Sequence, residues 1–123
     1  MKKVRKFLKS LRFAGYGLRL AFREQNFKIL TLASALTIGL SLSLPLKPWE
    51  LITVLLLVTF VLVLEIVNSV FERVADLVEP KIHHYVMELK DLMAAAVLLV
   101  SLAAFVIGGI IFYPYIQRFI SSI

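Results

Sequence analysis

The sequence predicts an all-α integral membrane protein: an N-terminal amphipathic helix lying in the membrane interface, followed by three transmembrane helices. Three observations predict it. Of 123 residues, 60% are hydrophobic, and the mean hydropathy of +0.90 lies outside the range of ordinary soluble domains. Three apolar runs, 27–44, 49–70 and 92–113, have about the length a bilayer crossing needs. The net charge of +6 is uneven: residues 1–28 hold nine of the fourteen Lys and Arg and a single acid, Glu24. The length allows one domain spanning 1–123. Three spans enclose little space by themselves, so assembly with copies of the same chain is expected. With no cysteine, disulfides, thiolate metal sites and cysteine nucleophiles are excluded.

The first element is 1–26. Phe7, Leu8, Leu11, Ala14, Leu18, Ala21 and Phe22 recur at helical spacing, and basic residues mostly fill the other face. A basic end beside a span suits anionic lipid headgroups. Nucleic acid is a poor alternative, because the basic residues are interleaved with an apolar face. A cleaved signal peptide is not expected, since no short apolar core with a small-residue cleavage site follows. The first span, 27–44, is interrupted only by Lys28 at its edge. A short link with Pro45 and Pro48 breaks the helix, and Trp49 suits an interfacial anchor. The second span, 49–70, should continue as an increasingly polar helix to Glu79, where Pro80 stops it. Residues 80–91 read as a polar loop. The third span, 92–113, opens with Ala94-Ala95-Ala96 and carries Gly108-Gly109, small residues that allow close helix packing, and Pro114 should close it. Lys and Arg placement puts the N-terminus and the 73–91 region in the cytoplasm and the 45–50 link outside. Glu24, the end of the second span and Lys90-Asp91 then meet at one membrane surface.

The second span ends in a polar stripe. At about 100° per residue, Glu65, Asn68, Glu72 and Asp76 share a sector roughly 80° wide on an otherwise apolar helix. Such a stripe can glue helices together, but ionisable groups in a membrane helix more often mark function. Mg²⁺ takes oxygen ligands, commonly one or two carboxylates plus substrate phosphates, and Glu72 with Glu24 could supply that pair. Lys90 can neutralise phosphate charge. Glu65 lies about two turns deeper than Glu72, where loss of water suits a carboxyl to accept a proton from a lipid hydroxyl. The glycine-rich P-loop and the protein-kinase motifs are absent. His83-His84 is a weak metal motif: neighbours point apart on a helix, and the sequence has no other histidine.

These residues resemble a family. Glu65-x-x-Asn68-Ser69-x-x-Glu72-x-Val74-x-Asp76, then His83, then Lys90-Asp91-x-x-Ala94-Ala95-Ala96-Val97-Leu98, is similar to the motif set of the small prokaryotic diacylglycerol kinases, which include the undecaprenol kinases of Gram-positive bacteria. Gly17-Leu18-Arg19 and Glu24-Gln25-Asn26-Phe27 extend the resemblance to nearly the whole chain. It implies a homotrimer in the bacterial inner membrane with active sites shared between neighbouring subunits. It also implies Mg²⁺-dependent transfer of the ATP γ-phosphate to a lipid hydroxyl. Carried over, Glu65 is the catalytic base and Glu24 and Glu72 are the Mg²⁺ ligands. Asn68, Asp76, His83, Lys90 and Asp91 line the nucleotide side.

Several positions depart from the family pattern. Val70-Phe71 replaces Ala-Ile, Ile82 replaces the tyrosine before His83, and Leu89 replaces the alanine before Lys90. The stretch before Glu24 is one residue short of the pattern. The ending around Phe112-Tyr113-Pro114-Tyr115-Ile116 is closer to the Gram-positive type and tilts the acceptor toward undecaprenol. A rival reading is a small oligomer that conducts protons or cations. A conducting path should place ionisable groups near the bilayer middle or through its full depth, whereas the first and third spans carry none at their centres. A purely structural membrane subunit would not gather Glu24, the stripe and Lys90-Asp91 at one surface.

Overall fold

The computed structural model describes residues 1–78 and 83–123, and of His83 the backbone alone. Among these residues all regular structure is helical: α1 (Lys2–Ala21), α2 (Gln25–Ser43), α3 (Pro48–Val78) and α4 (His83–Ser121). The last three are long and apolar enough to cross a membrane. At 1.5 Å per residue, the 31 residues of α3 reach about 46 Å, beyond a hydrocarbon core of about 30 Å. The excess lets the polar turns of α3 leave the lipid while its apolar turns stay within it.

Each break has a local cause. After α1 the chain makes one tight turn, with the Arg23 N–H donating to Leu20 O at 3.2 Å and the Glu24 N–H to Ala21 O at 3.0 Å. Phe22 and Phe27 close over that turn edge to face, their centroids 5.0 Å apart. Leu44 is extended at the end of α2, as the residue before a proline tends to be. Pro48 then opens α3, where its missing N–H costs nothing. Glu50, in that first turn, reaches back to accept the Lys47 N–H at 2.9 Å, the reciprocal half of a capping box.

Two boundaries differ from the sequence reading. Residues 83–91 are helical, not a loop. Their charges suggest solvent, but Val86, Leu89 and Met93 recur at helical spacing, and Val86 is buried. Pro114 does not close the third span, because α4 runs through it to Ser121. The proline removes one backbone bond, to the carbonyl four residues back, a loss that membrane helices tolerate. The following turn is held from outside, since the Tyr115 hydroxyl donates to the Glu50 carboxylate on α3. The expected continuation of α3 to Glu79, with Pro80 as its stop, lies outside the described residues. A Cβ at Gly108 or Gly109 would meet nothing within 4 Å, so their small size serves no close helix contact inside the chain.

Both Glu50 and Tyr115 are buried, at 8% and 9% exposure, at the end of the bundle opposite the acid stripe. Tyr115→Phe removes the side-chain hydrogen bond that ties the carboxylate to α4. A lower thermal unfolding midpoint in detergent is expected. An unchanged midpoint would show that the phenol does not hold α3 to α4.

Candidate functional site

The stripe read from sequence forms one wall of a cavity of about 390 Å³. Glu65, Asn68, Glu72 and Asp76 come from α3, Asn26 from the first turn of α2, and Lys90 from α4. Helical periodicity puts the α3 residues on one face, and packing of α2 and α4 against that face brings the other two. Phe71, Ala94 and Val97 complete the lining. The ring of Phe71, one of the departures noted above, therefore does stand beside the acids.

Burial falls along the stripe from Glu65, 5% exposed, to Glu72 and Asp76, both exposed. Asn68 Nδ2 donates to Glu72 Oε1 over 3.4 Å, a long bond. Lys90 Nζ donates to Asp76 Oδ1 at 3.3 Å and joins α4 to α3. The cavity thus offers carboxylate and amide oxygens together with one lysine ammonium. The oxygens are hard ligands suited to Mg²⁺. Among the described residues, no group of three or more His, Asp and Glu could hold a metal unaided. One or two carboxylates with substrate phosphates is the usual way to hold Mg²⁺, so the donor set fits that ion.

Glu24 stands apart. It is the N-cap of α2, with an extended backbone, but its side chain makes no cap bond. The side chain turns instead to α3, where Ser69 Oγ donates to one carboxylate oxygen and Arg73 Nη2 lies 3.6 Å from the other. The Ser69 hydroxyl also lies 3.1 Å from the Glu65 carbonyl oxygen. Glu24 lines a second cavity, between α1 and α3, and is not among the residues lining the first. Asp91 is exposed and does not line the first cavity either. The His83 side chain lies outside the described residues. Sequence reasoning missed Asn26 and Arg73 as neighbours of the site and gave Ser69 no role. Only the N-x-x-x-E-R arrangement around Asn68 could have flagged Arg73, as a cation next to the stripe.

Below the polar cavity the same helices line an apolar slot of about 320 Å³. Leu30 lies one turn beyond Asn26, Val61 one turn before Glu65, and Ser101 one turn beyond Val97, and all three line the slot. It continues past Val58, Ala104 and Gly108 to Phe112.

Fold and site together define a membrane protein with three helices long and apolar enough to cross the bilayer and a carboxylate-lined cavity at one end of them. A family model described as prokaryotic diacylglycerol kinase matches residues 12–112, and the chain belongs to that family. It is similar to the diacylglycerol kinase of Synechocystis sp., at 34% identity over 87% of this chain and 62% of the relative. It is also similar to the undecaprenol kinase of Bacillus subtilis, at 32% identity over 90% of this chain and 91% of the relative. The chain therefore spans less than two thirds of the cyanobacterial relative and nearly all of the other.

Proposed function

We propose that this protein is a membrane lipid kinase that transfers the γ-phosphate of ATP to the hydroxyl of a membrane lipid, either diacylglycerol or undecaprenol. Family membership and both relatives' names support the reaction class. The observation that carries the reading is the stacking of two cavities on the same three helices, a polar one around Glu65 and an apolar one directly below it. A lipid is the substrate that needs both. Its hydrocarbon chain would lie in the slot and its hydroxyl would meet Glu65.

Within this reading the residues divide the work by depth. Glu65 takes the proton of the attacking hydroxyl, at the least hydrated point of the stripe. Glu72 and Glu24 would hold Mg²⁺, which would neutralise phosphate charge. Lys90 offers its ammonium to the nucleotide phosphates, held in place by Asp76. Asn68 orients the Glu72 carboxylate. Asp91 and His83 belong to the nucleotide side by family resemblance.

The same reading places α1 in the cytoplasmic interface of the bacterial inner membrane. Phe7, Leu8, Leu11 and Leu18 are all exposed in the isolated chain, an apolar face that lipid would cover. The large apolar side chains exposed along α2, α3 and α4 are available to lipid and to neighbouring copies, and the assembly proposed is a homotrimer with shared active sites. A proton- or cation-conducting oligomer finds no support in the family or in the placement of the acids.

The test is Mg²⁺-dependent transfer of labelled γ-phosphate from ATP to diacylglycerol and to undecaprenol, side by side, with purified protein in detergent. Undecaprenol is expected to be the better acceptor, from the Gram-positive character of the ending. Transfer only to diacylglycerol would overturn that preference. Transfer to neither, by folded protein, would sink the kinase reading and make ion flux the next measurement.

A further inference from the structure

Arg73 has no place in the acid stripe. It follows Glu72 directly, and one step along a helix turns a side chain by about 100°. That step moves Arg73 from the polar cavity to the second one, of about 440 Å³, which it lines with Gly17, Ala21, Glu24, Ser69 and Val70. There both oxygens of the Glu24 carboxylate are engaged. One accepts the Ser69 hydroxyl, and the other faces the Arg73 guanidinium at 3.6 Å. Ser69 is neutral and can stay in place when a cation approaches. Arg73 brings a full positive charge to the oxygen that a divalent ion would also use, and like charges at such range repel.

We propose that Arg73 competes with the divalent cation for the Glu24 carboxylate and so sets how much magnesium the site requires. This rests on the reading of Glu24 as a metal ligand. The contest is modest, because the Arg73 side chain is 55% exposed and that of Glu24 28%, and exposed ion pairs are weak. Removing the guanidinium should tighten divalent binding about two- to fivefold. Keeping the charge should keep the competition, so Arg73→Lys is expected to stay near the parent. The effect should shrink at high ionic strength, where pairs between exposed groups are screened.

The experiment uses the full chain in detergent and Mn²⁺ as the paramagnetic probe, with free Mn²⁺ read by electron paramagnetic resonance. A second readout is the free Mg²⁺ concentration for half-maximal transfer at saturating ATP. The variants are Arg73→Gln, Arg73→Met, Arg73→Lys and Glu24→Gln, each checked for folding by thermal unfolding. Either neutral variant suffices if the other does not fold. The inference expects tighter Mn²⁺ binding and a lower Mg²⁺ requirement in the neutral variants, with weaker binding in Glu24→Gln. Unchanged or weaker Mn²⁺ binding in the neutral variants, with Glu24→Gln still weakened, would overturn the competition and leave Glu24 as a ligand. If Glu24→Gln binds Mn²⁺ as the parent does, the ligand reading fails and the inference falls with it.

Discussion

Glu65→Gln is expected to lower the rate of lipid phosphorylation by about 10²–10⁴-fold, the usual contribution of a positioned general base. The substitution keeps size and shape and removes both the charge and the ability to take a proton. Glu65 is buried at 5% exposure within α3, and the turn before it, residues 61–64, is wholly apolar. The amide relieves the cost of burying a carboxylate, so the fold should be at least as stable, and any loss of rate cannot be assigned to unfolding. Binding of ATP should change little, because Lys90 and Asp76 lie at the outer end of the cavity and pair with each other. The discriminating measurement is kcat and the two KM values in one detergent, with the unfolding midpoint beside them. A rate that survived in the variant would leave the kinase standing and remove Glu65 as its base.

How far the site was legible in the sequence depended on how far apart its members lie along the chain. The stripe from Glu65 to Asp76 is local, so helical periodicity alone puts its four residues on one face. The spans were legible because hydropathy is also local. Contacts between distant segments were not. Ser69 meets Glu24 across 45 residues, and Tyr115 meets Glu50 across 65, and no periodicity links either pair. Glu50 entered the sequence reading only as part of the 45–50 link outside the membrane, yet it caps α3 and ties it to α4. Residues 83–91 were misjudged for a different reason: their composition says loop, while the spacing of Val86, Leu89 and Met93 says helix, and packing of Val86 decides it. Pro114 misled because a stop signal in water is tolerated in a long apolar helix.

Glu72→Gln should act differently from Glu65→Gln. Its expected signature is a rise in the Mg²⁺ concentration for half-maximal activity of at least about tenfold, since loss even of a group that only supports a metal ligand costs about 10- to 100-fold. A fall in maximal rate should accompany it. The reasoning starts from position: Glu72 is exposed, lines the polar cavity, and has only the long bond from Asn68 among the described side chains. Its oxygens are thus available to a cation, whereas those of Glu24 are shared with Ser69 and Arg73. Asp76→Asn is the contrasting control. Asp76 meets Lys90 at 3.3 Å, so its loss should raise the KM for ATP and leave the Mg²⁺ requirement nearly unchanged. Titrating Mg²⁺ at fixed ATP, and ATP at fixed free Mg²⁺, separates the two. A Glu72→Gln protein with reduced rate and an unshifted Mg²⁺ dependence would take Glu72 off the metal and leave it a role in orienting the nucleotide. The cation would then have to be held from the Glu24 side alone, where Arg73 opposes it.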